Sequence, residues 1–129
     1  MQRLQGEGWR LQVDEERACL PVLIGGRDWA AEFTAAEAVA IASMAVELEH
    51  QLGALTDRLM ADEQITLETE RTYEWGSLWM ELEGAPESWS LRFVLTPQPS
   101  LRALEAGWSP QASGAITAAL QDLIDRSGG

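Results

Sequence analysis

Two pairs of carboxylates, Glu68 with Glu70 and Glu81 with Glu83, stand two residues apart in stretches that alternate apolar and polar side chains, so each pair shares one face of a strand. Carboxylates placed this way can hold a divalent cation or divide acid and base work between them. The same alternation turns Trp79, Arg10 and Arg92 outward, and it leaves Trp75 at the tip of a hairpin. Exposed indoles anchor protein interfaces or stack on bases. The bland reading of such a face is a solvated surface whose charges keep the chain soluble and its strand edges unpaired. The functional reading that competes is a docking surface for a basic protein partner. Arg10, Glu68, Glu70, Trp75, Trp79, Glu81, Glu83 and Arg92 are the candidate interaction surface.

No other constellation points to chemistry. A single Cys19 and a single His50 exclude an internal disulfide and the usual Cys/His zinc clusters. Cys19 lies in an apolar stretch and reads as a buried, inert thiol; His50 falls off the leucine seam of a helix and reads as a surface residue. No nucleophile elbow, phosphate loop, dinucleotide fingerprint or calcium loop is present. The expectation is a protein without catalytic residues, cofactor or metal.

Charge narrows the partners. The chain carries 21 acidic residues against nine basic ones, a net charge of -12, and every cation is arginine. Such a field repels phosphate backbones and anionic membranes over a Debye length of about 8–10 Å. An unidentified protein partner is therefore expected, with nucleic acid disfavoured and no membrane, and with the chain a monomer or weak homo-oligomer. A length of 129 residues suits one domain, and no run of apolar residues has the length of a signal or membrane segment, so the expected location is the cytoplasm.

The elements that must position these residues follow from periodicity. Strands are expected over 8–14, 18–24 and 29–33, with Gly25-Gly26 supplying positive φ angles at a hairpin turn. Thr34-Ala35-Ala36-Glu37 is a capping box that starts a helix ending near Met60. Its seam of Ile41, Ala45, Leu48, Leu52, Leu55 and Leu59 needs a sheet to cover it, and Gly53 reads as a close approach or a bend. Strands follow over 65–73, 78–83 and 89–95, then a proline-punctuated loop through Pro97 and Pro99, in which Trp108 is an anchor. Ser109-Pro110 opens a second helix with the stripe Ile116, Leu120, Leu123 and Ile124, and the tail 127–129 frays. Trp29 with Phe33 recurs as Trp89 with Phe93 sixty positions later, both pairs expected in the core. The reading is one α+β domain with antiparallel sheets and two helices, built from duplicated β-β-β-α units at about 8–60 and 64–126 in a pseudo-twofold arrangement.

The opening Gly6-x-Gly8-Trp9-Arg10, the segment Pro21-Val22-Leu23-Ile24-Gly25-Gly26, the stretch from Trp29 to Glu37 and Leu78-Trp79-Met80-Glu81-Leu82-Glu83 resemble, in this order, a family of small cyanobacterial proteins known as domain of unknown function 1818. The resemblance spans nearly the whole chain. It implies a fold similar to the whirly-type single-stranded-DNA-binding transcriptional regulators, in which duplicated sheets are crossed by helices, and it implies no established activity. DNA-binding relatives of that fold present basic and aromatic residues on the sheet, and no basic motif in this sequence matches them. The functional expectation is a non-catalytic protein-interaction module; the alternative is a regulatory protein that binds single-stranded nucleic acid.

Overall fold

Strand alternation and two well-placed turns build the first sheet. The computed structural model describes residues 1–98 and 102–128, with side chains through Arg126. β1 (Gln2–Gly6), β2 (Trp9–Val13), β3 (Val22–Gly25) and β4 (Ala30–Phe33) pair antiparallel in sequence order. Their registers set Leu4, Leu11, Ile24 and Ala31 in one row and Gln2, Val13, Val22 and Phe33 in another, so one face carries the apolar side chains. β1 is an addition to the expected strands. It has one apolar residue, Leu4, and becomes a strand because the turn at Gly8, with φ of 79°, folds it back on β2.

The second expected strand shortens to β3, because Pro21 cannot donate to the ladder, and 18–20 lie exposed before it. Cys19 is therefore exposed, not buried. Nor do Gly25 and Gly26 take positive φ: among the described residues the glycines that do are Gly8, Gly76 and Gly84. Gly26 is needed for room instead. A Cβ there would run into the Trp29 indole and come within 2.9 Å of the Gly107 carbonyl.

The capping box forms as read. The Glu37 amide donates to Thr34 Oγ1 at 3.1 Å and the Thr34 amide donates to Glu37 Oε1 at 2.9 Å, starting α1 (Ala35–Leu55). α1 stops before the expected end and passes into one 3₁₀ turn, Thr56–Arg58. Ile41, Ala45, Leu48 and Leu52 are buried, joined by Ala38, Ala42 and Met44, so the apolar surface is wider than a single seam. Gly53 is exposed with nothing near it, and marks neither a bend nor a close approach.

β5 (Ile65–Tyr73), β6 (Gly76–Ala85), β7 (Ser88–Pro97) and β8 (Leu104–Trp108) form the second antiparallel sheet, again in sequence order. β8 replaces part of the expected loop; the segment 99–101, with Pro99, lies outside the described residues. α2 (Pro110–Gly128) follows; Gly129 and the side chains of 127–128 also lie outside that description. Pro110 opens the helix as expected, yet Ser109 Oγ accepts no amide. Ser113 Oγ donates to the Ser109 and Trp108 carbonyls instead.

The architecture is thus α+β: two four-stranded antiparallel sheets and two helices in the repeated order sheet, helix, sheet, helix. Each unit carries a fourth strand beyond the three expected. The helices cross over: α1 packs on β5 and β6 of the second sheet, α2 packs on β2 of the first as well as on its own β7, and the two helices touch. One continuous core results, with Phe33, Ile41, Met44, Leu48, Met80, Phe93 and Ile116 fully enclosed. Each such side chain contributes about 1.5–3 kcal/mol through burial.

Candidate functional site

An antiparallel ladder sorts its side chains by register, and in the second sheet it produces two chemically opposite faces. Leu67, Leu82, Leu91 and Trp108 form one inward row, and Thr69, Met80, Phe93 and Ala106 the next. The outward rows are polar. Thr66, Glu83 and Ser90 align; then Glu68, Glu81, Arg92 and Gly107; then Glu70, Trp79, Val94 and Glu105. Five carboxylates and one cation, Arg92, share this face.

Arg92 is its centre. Its guanidinium donates to Glu105 Oε1 at 3.0 Å and to Glu81 Oε1 at 3.5 Å, and its Cζ lies 4.9 Å from the centroid of the Trp79 ring. The hydrogen bond to Glu105, reinforced by the charge and hydrogen bond of Glu81 and only partly offset by burial, raises the Arg92 pKa above its ordinary value. Glu68, Glu70 and Glu83 have no basic partner among the described residues. Among the described residues no group of three or more His, Cys, Asp or Glu is arranged to hold a metal ion.

The sheet brings Glu68, Glu70, Trp79, Glu81, Glu83 and Arg92 together and separates Trp75 and Arg10 from them. Trp75 stacks on Tyr73, with centroids 4.8 Å apart and planes 6° from parallel, beside the start of α1. Arg10 belongs to the first sheet, where it lies across Gly25 and lines a cleft with Trp9, Arg27 and Trp29. Trp79 is half-buried beneath Arg92, and Trp108 belongs to the core. His50 is exposed, as expected. Glu105 falls in a stretch whose prolines and glycine read as loop; the alternation of Leu104, Ala106 and Trp108 with Glu105 and Gly107 is the available strand signal.

A second feature, invisible in the sequence, joins the two sheets. Trp29 Nε1 donates to the Gly107 carbonyl of β8 at 2.9 Å, and Trp108 Nε1 donates to the Gly25 carbonyl of β3 at 3.1 Å. The two rings lie 5.6 Å apart and both contact Phe93, at 5.8 and 5.6 Å. The stretch 27–29 that carries Trp29 also separates the cleft at Arg10 from a second one at Arg92 and Glu105.

Fold and surface together define a class: a two-sheet α+β domain with crossed helices and one strongly acidic sheet face. The chain belongs to the family described as Domain of unknown function (DUF1818), whose model matches residues 4–123. It is similar to a solved structure from Prochlorococcus sp. NATL2A, described as a protein with unknown function from the DUF155 family. The identity is 31% and the TM-score 0.84, over 95% of this chain and 98% of that one. No curated protein matches the chain.

Proposed function

We propose that this chain is a non-catalytic interaction module that docks a basic protein segment on the outer face of its second sheet. One observation carries the reading: Glu68, Glu70, Glu81, Glu83 and Glu105 share that face with Arg92 as its one cation. Among the described residues three of the five carboxylates have no basic partner, so a partner's Arg or Lys side chains replace water there and no internal ion pair has to break. The reading takes the chain as cytoplasmic, and an exposed, unpaired Cys19 suits a reducing compartment. A cyanobacterial source is in keeping with the Prochlorococcus relative.

The crossed helices are in keeping with the whirly-type resemblance, which supports a second reading, single-stranded nucleic-acid binding. The acidic face works against it. Titration of an Arg-rich peptide into the full chain at low salt tests the first reading. Wild type is expected to bind with an affinity that falls with salt, and Glu68→Arg with Glu83→Arg to abolish binding. Equal binding by the reversed variant sinks the docking face. Salt-sensitive quenching of tryptophan fluorescence by a single-stranded oligonucleotide, with no response to the peptide, installs the second reading in its place.

A further inference from the structure

The chain has more than twice as many carboxylates as arginines, and its electrostatics predict that each arginine finds an acid. Arg17 pairs with Glu32, Arg71 with Glu47 at 2.6 Å, and Arg92 with two glutamates. Among the described residues Arg3, Arg10, Arg58 and Arg126 have no such pair and Arg27 has only a long one, and of these Arg10 and Arg27 stand together. Arg10 makes no ion pair among the described residues, and Arg27 reaches Glu7 only at 4.0 Å, with both side chains more than half exposed. Both line one cleft of about 650 Å³ between the β1–β2 turn and the β3–β4 turn, outside the acidic face. Asp28 is the one carboxylate on its wall, and it lies beyond 4.0 Å of either guanidinium. With Glu7 on Arg27 at its rim, two arginines face two carboxylates, so the cleft escapes the excess of acid that gives the chain its net charge of -12.

The rest of the wall is aromatic and bare backbone. Trp9 and Trp29 are both half-buried, with their indoles laid over Gly6 and Gly26. Trp29 spends its N–H on Gly107, whereas Trp9 Nε1 has no acceptor among the described residues. Arg27 Nη2 stands 3.9 Å from where a Cβ of Gly8 would be, so the guanidinium overhangs main chain, not a side chain. The cleft thus offers two forked donors, one indole N–H without an acceptor among the described residues, and the exposed part of two indoles.

We propose that this cleft binds a small molecule carrying one anionic group, a phosphate monoester or a carboxylate, on a flat ring. Guanidinium forks match both anions bidentately, and an indole face takes a flat ring by offset stacking. The volume falls in the range of about 300–1,000 Å³ typical of small-molecule sites. Size of charge decides against a polyanion. A small anion feels the two arginines inside a Debye length of about 8 Å, while a nucleic-acid strand extends across the acidic remainder of the surface. The site is on the first sheet and does not depend on the docking reading.

The test follows the tryptophan indole N–H resonances of the full ¹⁵N-labelled chain while phenyl phosphate or benzoate is added at low salt. A saturable shift at Trp9 and Trp29, absent at Trp75 and Trp89, is expected with at least one probe, and the preferred probe identifies the anion. Arg10→Gln and Arg27→Gln, both at exposed positions, are each expected to weaken that binding about tenfold, the loss of one charge-assisted contact. Inorganic phosphate and phenol, each lacking half of the recognised chemistry, are expected to bind about tenfold more weakly or not at all. No saturable shift from either probe up to about 10 mM overturns the site, and so does unchanged affinity in both glutamine variants with the amide spectrum intact.

Discussion

Replacing Trp108 by Phe keeps a ring at the junction of the sheets and removes one donor. The Gly25 carbonyl that accepts from Trp108 Nε1 belongs to a buried residue, and Trp108 is only 3% exposed, so no water takes over the bond. Stripping a buried acceptor of its donor costs about 1–3 kcal/mol, and the ring atoms lost from a closed site add about 1 kcal/mol. Trp108→Phe is therefore expected to lower the unfolding free energy by about 2–4 kcal/mol, a fall in Tm of roughly 8–15 °C for a domain of this size. Trp29→Phe removes the reciprocal donor from a half-buried pair, where water can substitute, and is expected to cost about 1–2 kcal/mol. With the rings 5.6 Å apart, the double variant should lose less than the sum, by about 0.5–1.5 kcal/mol. Urea unfolding followed by circular dichroism reads all three without relying on tryptophan emission. If Trp108→Phe costs less than Trp29→Phe, or stays within about 0.5 kcal/mol of wild type, the reasoning that these indoles hold the two sheets together fails.

Gly107→Ala would drive its Cβ into the Leu91 carbonyl of the neighbouring strand, so β8 must shift; a loss of about 2 kcal/mol or more in the same denaturation assay is expected. Thr34→Ala removes one half of the capping box and should cost about 1 kcal/mol with an unchanged m-value. Arg92→Gln frees Glu81 and Glu105 and makes the outer face more acidic, so the Arg-rich peptide is expected to bind about threefold more tightly; weaker binding would contradict the docking face. Cys19 should react fully with a thiol reagent in the native chain, one equivalent without denaturant; protection until unfolding would contradict its exposure.

Where the sequence was legible, a local rule sufficed. The capping box at Thr34 and Glu37 forms from residues three apart, and the β5–β6–β7 meander follows from clean alternation over long strands. β1 and β8 escaped because their stabilising partners are distant or small. Leu4 is the one apolar residue of β1 and gains its meaning from Leu11 opposite, while β8 is punctuated by Gly107, which reads as loop unless the approach of Leu91 and Trp29 is known. The candidate surface was legible to the same extent. Alternation within a strand put Glu68 with Glu70 and Glu81 with Glu83, and only inter-strand register could add Glu105 and set Arg10 apart. The apolar run around Cys19 reads as a strand, but Pro21 delays the start of β3 and leaves Cys19 exposed.

The duplication is better seen in element boundaries than in matching residues. Trp29 and Phe33 against Trp89 and Phe93 compares the residue before the fourth strand of one unit and the residue that ends it with the third strand of the other. The correspondence in structure is Phe33-Thr34-Ala35 with Trp108-Ser109-Pro110, seventy-five positions on: an aromatic closing the last strand, a hydroxyl residue at the junction, and the first residue of the helix. The two junctions have since taken different chemistry. Thr34 engages a full capping box, whereas Ser109 Oγ is left without a partner and Ser113 ties the turn through the Trp108 and Ser109 carbonyls. Trp108 is thereby fixed from two sides, by its own N–H on Gly25 and by Ser113 on its carbonyl. The same few residues that end one unit thus hold the turn of the other, and the stretch 27–29 is the wall shared by the arginine-lined cleft and the edge of the acidic face. The arginine-lined cleft and the acidic face thus stand on one junction, tied by the two indole bonds between the sheets.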